Sequence, residues 1–455
     1  MSQEIPLEFV DRSGTDCVKW DIPHSHPSPM MMWVADMEIA SPKPVVDAIT
    51  KRAAHHAYGY PVAPKEVNEC IRQWAAKCFN WDISTEWISH SPGVCGSVAA
   101  SIQAFTQPGD RIVVLSPIYF PLTNLPEDNG REAVRSSLIF DDKTRKWNIN
   151  WDDFERKISL PRVKMFILCN PHNPTGRMWT REELTRLGEL CLKHEVLIVS
   201  DEIHWDFALP REGSTPMHVP IASISPELSR NTLTFSAPSK TFNIPSFQFS
   251  FCIASNPRLR EGFNVFLSRN AAFAENVFAF PAAIAAYTHC YQWVRDCDAL
   301  FRKHCTMVYE MFSKDKFKGL VDVVDQEATF LLFINMNKAI NYFHEKAMAK
   351  AGGATDELRL SNDKALFPLP RNTHPVTGAV LVDPAAPAAE FNRRTAGALK
   401  DFIFQKTGVL FNEGSQFGID GDGWVRMNVG TKTENVEETL KRLESLFDTL
   451  FAAYP

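Results

Sequence analysis

The chain has 455 residues, 45% of them hydrophobic and 22% charged, an ordinary globular composition in a chain too long for one small core, so two domains are expected. A net charge of -6 leaves no basic surface to concentrate nucleic acid or anionic lipid, and a small-molecule enzyme fits better. Ten cysteines, at 17, 70, 78, 95, 169, 191, 252, 290, 297 and 305, form no CxxC pair and read as reduced, mostly buried thiols.

The first residues, MSQEIPLEFVDR, lack a basic segment followed by an apolar one, so no secretory signal is expected. The longest apolar run, VFAFPAAIAAY at 277–287, is too short to span a bilayer and contains Pro281. A cytoplasmic protein without membrane or nucleic-acid partners is the expectation.

From residue 91, SPGVCGSVAASIQAF places Gly93 and Gly96 ahead of an alanine-rich helix. Glycines there let backbone N–H groups approach a phosphate, assisted by the helix dipole, although a plain helix start carries the same signal. Five short runs follow: RIVVLSP from 111, KMFILCN from 164, VLIVSDE from 196, TLTFSAP from 232 and FQFSFCIAS from 247. Runs apolar on both faces suit buried strands of a mainly parallel sheet covered by helices. Between the second and third, Thr180 and Glu183 form a capping box ahead of LTRLGELCLKH, which completes a βαβ unit.

Polar residues gather after these strands: Tyr119, Asn173, Asp201 with His204, then Lys240. In open α/β sheets the ligand crevice lies beyond the carboxyl ends of the strands, so these side chains are expected to converge. Beyond residue 300 come FRKHCTMVYEMF, a strand-like ATFLLFINM, and a stretch at about 345–395 rich in Ala, Pro, Gly and charge that reads as an insertion loop. The pattern resumes with FNRRTAGALKDFIFQKTGVLF and WVRMNVG and ends in the amphipathic NVEETLKRLESLFDTLF.

Each polar residue carries two readings. A lysine is usually a solvated surface charge, but Lys240 follows a buried strand, and desolvation there would free its amine for a Schiff base. NPHNPTG at 170–176 is at least a stiff turn, and it also fits a turn presenting the Asn173 amide to a ligand oxygen. Asp201 is either an ordinary acid at a helix start or a buried carboxylate awaiting a cation such as a protonated pyridine nitrogen. Arg426 lies in an alternating segment, where it faces solvent by default or, turned inward, grips a carboxylate with two parallel hydrogen bonds. A Schiff-base lysine, a pyridinium carboxylate, a phosphate cradle and a carboxylate-binding arginine together describe pyridoxal phosphate chemistry, and no zinc pattern, GxSxG elbow or Walker loop competes.

With FVDRSGTDCVKWD near the start, WVADMEIASP at 33–42, YGYP at 58–61, SPIYFP at 116–121, NPHNPTG, SDEIH, SKTFN and VRMN, the chain resembles the fold-type I pyridoxal phosphate enzymes of the class I/II aminotransferase family, and among them the MalY/PatB-type cystathionine β-lyases. The likeness covers all but about 345–395. It implies a mainly parallel seven-stranded central sheet with helices on both faces plus a smaller α/β domain. Residues 1–50 would be an N-terminal arm with part of the small domain, 51–300 the cofactor-binding domain and 301–455 the rest of the small domain.

Position by position, the resemblance makes Lys240 the Schiff-base lysine that later moves the α-proton, and Asp201 the partner of the pyridine nitrogen. Asn173 would bond the phenolic oxygen, Tyr119 stack on the ring and Arg426 hold the substrate carboxylate. His204 replaces a tyrosine found near the phenolic oxygen in many aminotransferases. Tyr60 would reach the neighbouring subunit's site, which implies a homodimer. Val94 and Cys95 supply backbone amides to the phosphate, and Ser236 and Ser239 candidate hydroxyls. Gln248 stands where many aminotransferases hold the phosphate with an arginine, which favours a lyase and shifts the phosphate onto backbone and hydroxyl donors.

The expected reaction is β-elimination of a thiol from an S-substituted L-cysteine, cystathionine or another conjugate, giving pyruvate and ammonia. Bis-cysteinyl adducts of fungal epidithiodiketopiperazine (gliotoxin-like) pathways, transamination, and a non-catalytic cofactor-binding regulator stand as alternatives.

Overall fold

The computed structural model describes residues 6–22, 24, 26–211, 213–214, 217–272, 276–350 and 398–454. The doubly buried runs form the middle of a seven-stranded sheet. In chain order its strands are β1 (Ile88–Ser91), β2 (Arg111–Ser116), β3 (Glu132–Ser137), β4 (Val163–Cys169), β5 (Leu197–Asp201), β6 (Thr232–Ser236) and β7 (Ser250–Ile253), in the order β1-β7-β6-β5-β4-β2-β3. Only β7 runs against its neighbours.

Burial on both faces is literal. Along β2 and β4, Ile112, Val114, Met165 and Ile167 pack into one apolar cluster with Val98 and Ile102 of the helix Val94–Phe105 and Phe263 of Pro257–Arg269. The alternating residues Val113, Leu115, Phe166 and Leu168 pack into a second cluster with Phe154 of Trp151–Ile158 and Leu184 and Leu187 of Arg181–Lys193. That last helix begins with the expected capping box: Thr180 accepts from the Glu183 N–H and Glu183 reaches back to the Thr180 N–H.

A smaller antiparallel sheet joins β8 (Asp322–Val323), β9 (Leu331–Asn335), β10 (Asn412–Glu413) and β11 (Trp424–Asn428) in the order β8-β9-β11-β10. The long helices Tyr291–Phe312 and Thr433–Ala453 accompany it.

Three expectations need correction. The run from 247 is not strand at its start: Pro245–Phe247 is a short 3₁₀ turn and Gln248 takes a left-handed conformation (φ 51°), so pairing begins only at Ser250. WVRMNVG has no solvent face, because all five residues of β11 are buried between β9 and β10. The first residues of the expected insertion continue the helix Asn337–Lys350, and the stretch from 351 to 395 lies outside the described residues. Strands β1 and β3 had no clear apolar run, since ISHS and EAVRSS are largely polar. Among the described residues, no helix is long and apolar enough to cross a membrane.

The N-terminal motifs build a clamp. The Asp21 carboxylate accepts N–H bonds from Gly14 (2.7 Å), Thr15 (3.0 Å) and Cys17 (2.7 Å), folding FVDRSGTDCVKWD into a turn. That turn aims Lys19, 1% exposed, at the Glu38 carboxylate (2.7 Å) and the Asp36 carbonyl (3.2 Å), while Trp20 Nε1 donates to Glu38 (3.1 Å) and Arg12 pairs with Asp36 (2.7 Å). Asn243, at φ 56°, grips the same segment through the Met37 N–H (3.0 Å) and the Met37 and Ile39 carbonyls (2.9 and 2.8 Å). Asn428 of β11 donates to the Val34 and Asp36 carbonyls. Residues 33–39 are thereby fixed between the turn after β6 and the small sheet.

Removing one partner of a buried ion pair leaves the other charge uncompensated, at a cost of about 3–5 kcal/mol. Lys19→Ala is expected to lose stability on that scale in denaturant unfolding; a loss below about 1 kcal/mol would contradict the clamp.

Candidate active site

Tyr119, Asn173, His204 and Lys240 lie just beyond the carboxyl ends of β2, β4, β5 and β6, and Asp201 is the last residue of β5. These four parallel strands are consecutive neighbours in the sheet, in the order β6-β5-β4-β2, so their carboxyl ends lie along one edge. Arg426 reaches the same place from β11: its guanidinium donates to Asn173 Oδ1 (3.0 Å). A second tie binds Tyr119 to this group, as its backbone N–H donates to the Asn173 carbonyl (2.8 Å).

Asp201 is 4% exposed, and among the described residues its carboxylate accepts one hydrogen bond, from the Ile203 N–H (3.2 Å). Burial pushes its carboxyl up to about 6, opposed by that hydrogen bond and by the charge of Lys240. Among the described residues no cation bonds this buried carboxylate. Lys240 sits on the one-turn helix Pro238–Thr241, half-buried, and donates from Nζ to the Ala35 carbonyl at 2.8 Å. Burial lowers its pKa, with Asp36 pulling the other way.

Arg426, 3% exposed, donates to Asn412 Oδ1 (2.6 Å) and the Trp33 carbonyl (3.3 Å) besides Asn173, and lies over the Phe417 ring at 4.7 Å. Its Nε has no partner, no carboxylate pairs with it among the described residues, and burial pushes its pKa down to about 10. By accepting from Arg426, Asn173 Oδ1 fixes the orientation of its amide, which leaves Nδ2 as the donor for a ligand oxygen. His204 is fully enclosed edge-on to Phe330 with Nδ1 unpartnered, and burial followed by the charges of Lys240 and Arg426 holds it neutral.

Val94 and Cys95 open the helix Val94–Phe105 behind Gly93 (φ 75°), and no side chain caps it, so its first N–H groups are free to meet an anion. A side chain at 93 is disfavoured by that φ, and its Cβ would lie 2.8 Å from Gln248 Oε1, so the Gln248 side chain would have to shift. Gln248 thus lies against the same helix start. The Cys95 thiol, half-buried, is pushed up to about 11 by burial and by Asp201, and burial chiefly raises the Tyr119 hydroxyl beside it.

The expected residues do not all meet. Ser236 is fully buried and its hydroxyl donates to the Glu202 carbonyl (3.2 Å), so its proton is committed within the chain, whereas Ser239 lies on the lysine's own turn. Tyr60 is 95% exposed, apart from the others. The sequence missed the neutral oxygens that hold the cations, the Ala35 and Trp33 carbonyls and the Asn412 side chain; WVADM stood out as a motif, but a backbone acceptor leaves no residue type to recognise, and Asn412 meets Arg426 only through strand pairing.

Residues 36–443 match the family model for aminotransferase class I and II, and the chain belongs to that family. Cystathionine β-lyase PatB of Bacillus subtilis is 31% identical over 438 residues, covering 96% of this chain and 97% of PatB. Among solved structures, cystalysin from Treponema denticola, which contains pyridoxal 5'-phosphate, is similar with a TM-score of 0.80 and 25% identity over 98% of each chain. A pyridoxal-phosphate-bound putative aminotransferase from Clostridium difficile 630 gives 0.79 and 29%, covering 97% of this chain and 98% of its own.

Because the Asp201 carboxyl is raised from 3.8 to about 6, the folded cofactor-free chain holds this proton more tightly than the unfolded chain. The stability it contributes is complete below about pH 4 and is lost as pH rises through about 6, a deficit of about 3 kcal/mol at neutral pH. Asp201→Asn should therefore stabilise the cofactor-free protein at about pH 8 and not at about pH 4. Unfolding curves at the two pH values check this, and a pH-independent effect would contradict it.

Proposed function

We propose that this chain is a pyridoxal-phosphate-dependent carbon–sulfur β-lyase acting on S-substituted L-cysteine. The observation that carries the chemistry is the convergence of Lys240, Asp201 and Arg426, each buried or half-buried and none of them in an ion pair within 4 Å among the described residues. The choice of lyase over transaminase rests on the similarity to PatB along nearly the whole chain.

The donor set fits the cofactor. Asp201 is an orphaned buried carboxylate suited to a protonated ring nitrogen, Asn173 offers Nδ2 to the phenolic oxygen, and Tyr119 lies beside it for stacking. The uncapped helix start at Val94 and Cys95, with Ser239 nearby in sequence to Lys240, suits the phosphate, and the neutral Gln248 side chain leaves that task to backbone and hydroxyl donors. His204, neutral and enclosed, borders the same ring position in this reading. When bound, pyridoxal phosphate supplies an aldehyde for the amino group and an electron-accepting ring.

The chain's own residues do the rest. Arg426 takes the substrate carboxylate with the guanidinium face that no protein carboxylate uses, so the α-carbon is fixed beside Lys240. Burial lowers the Lys240 pKa, so that more of its amine is unprotonated and available to take the α-proton. Neutral Ala35, Trp33, Asn173 and Asn412 oxygens hold both cations without quenching them. With one water consumed, the products are the thiol, pyruvate and ammonium.

The wider setting belongs to the same reading. Tyr60 at 95% exposure, with Tyr58 and Val62 also exposed, supports a homodimer in which Tyr60 completes the partner's site; sedimentation as a monomer would overturn that. Ten cysteines, all free, support a cytoplasmic location. The division into an arm at 1–50, a cofactor-binding domain at 51–300 and a small domain at 301–455 is supported by the larger sheet falling within 88–253 and the smaller within 322–428.

Holoenzyme incubated with L-cystathionine and other cysteine S-conjugates should release pyruvate, ammonia and thiol in equal amounts without added keto acid. Lys240→Ala should abolish both that release and covalent trapping of the cofactor by borohydride. Amino transfer that requires a keto acid and frees no thiol would refute the lyase.

A further inference from the structure

The guanidinium of Arg426 begins a row of aromatic rings. It lies over Phe417 at 4.7 Å; Phe417 stands 6.5 Å, ring centre to ring centre, from Phe120; and Phe120 stands 5.2 Å from Tyr119. The row is held by backbone as well as by packing, since the Ile118 N–H donates to the Phe417 carbonyl (2.9 Å) and the Tyr119 N–H to that of Asn173. Phe417 is fully buried and Tyr119 half-buried, but Phe120, at the start of the helix Pro121–Asp128, keeps 37% of its surface exposed. An exposed phenylalanine next to a site built from buried polar groups offers apolar surface to a ligand.

We propose that this row receives the group carried on the substrate's sulfur, and that the substrates are L-cysteine conjugates whose S-substituent is apolar and ring-sized. The inference rests on the lyase reading above. With its carboxylate on Arg426, whose guanidinium lies over Phe417, a substrate in this proposal extends its sulfur substituent along the row toward Phe120. A phenyl or comparable group gains ring contacts and loses water there. Cystathionine ends in an ammonium and a carboxylate, and rings offer a carboxylate no hydrogen bond, so its far end gains nothing from the row and loses part of its hydration there.

Two uncleavable carbon analogues separate binding from chemistry: L-homophenylalanine, with methylene in place of the sulfur of S-phenyl-L-cysteine, and L-2-aminoadipate, which ends in a carboxylate. Titrated into holoenzyme and followed by cofactor absorbance, homophenylalanine should bind at least about tenfold more tightly. Phe120→Ala should cost it about tenfold and 2-aminoadipate less than about threefold, and Phe120→Arg should reverse the order. Equal binding of the two analogues, or equal loss in Phe120→Ala, would overturn the proposal while thiol release from cysteine conjugates still supports a lyase. A retained preference for homophenylalanine with no thiol from S-phenyl-L-cysteine would overturn the lyase reading and this substrate class with it.

Discussion

Two cations, Lys240 and Arg426, are withdrawn from water at one place and, among the described residues, bond only neutral oxygens. A buried charge without a counter-ion is costly unless its hydrogen bonds are satisfied. The surrounding chain answers that cost with the Ala35 and Trp33 carbonyls and the Asn173 and Asn412 amides. Had carboxylates been used, the site would already be neutral and an amino acid's own carboxylate would find no place.

That arrangement explains why so distant a set of segments is tied together. The small sheet delivers Arg426 through β11 and Asn412 through β10, and the central sheet delivers Lys240 and Asn173 through the turns after β6 and β4. Neither sheet can supply the backbone carbonyls at the junction. Residues 33–39 do so, held by the Lys19–Glu38 pair on one side and by Asn243 and Asn428 on the other. Asn243 is well suited to its place, because it tolerates the positive φ that this turn requires and its amide can donate and accept at once.

Much of this was legible in the residues. The runs from 111, 164, 196 and 232 are apolar on both faces, and each became a central strand with its polar residue at the carboxyl end, as the physics of a doubly covered sheet requires. Thr180 and Glu183 announced their helix because a capping box is local. The failures have equally physical causes. Strands ISHS and EAVRSS owe their place to neighbours, a tertiary effect that no local pattern carries. Gln248 and Pro245 delayed the strand expected from 247 through backbone conformation, not hydropathy. Ser236 looked like a candidate hydroxyl, but its proton goes to a carbonyl that only folding brings near.

The central claim is that Arg426 is buried in order to receive a carboxylate. It is tested most directly by comparing, in the holoenzyme, an S-substituted L-cysteine with the S-substituted cysteamine that differs only in lacking that carboxylate. The account predicts about a hundredfold preference for the cysteine, lost in Arg426→Gln. Equal binding of the two by the unmodified enzyme would contradict it.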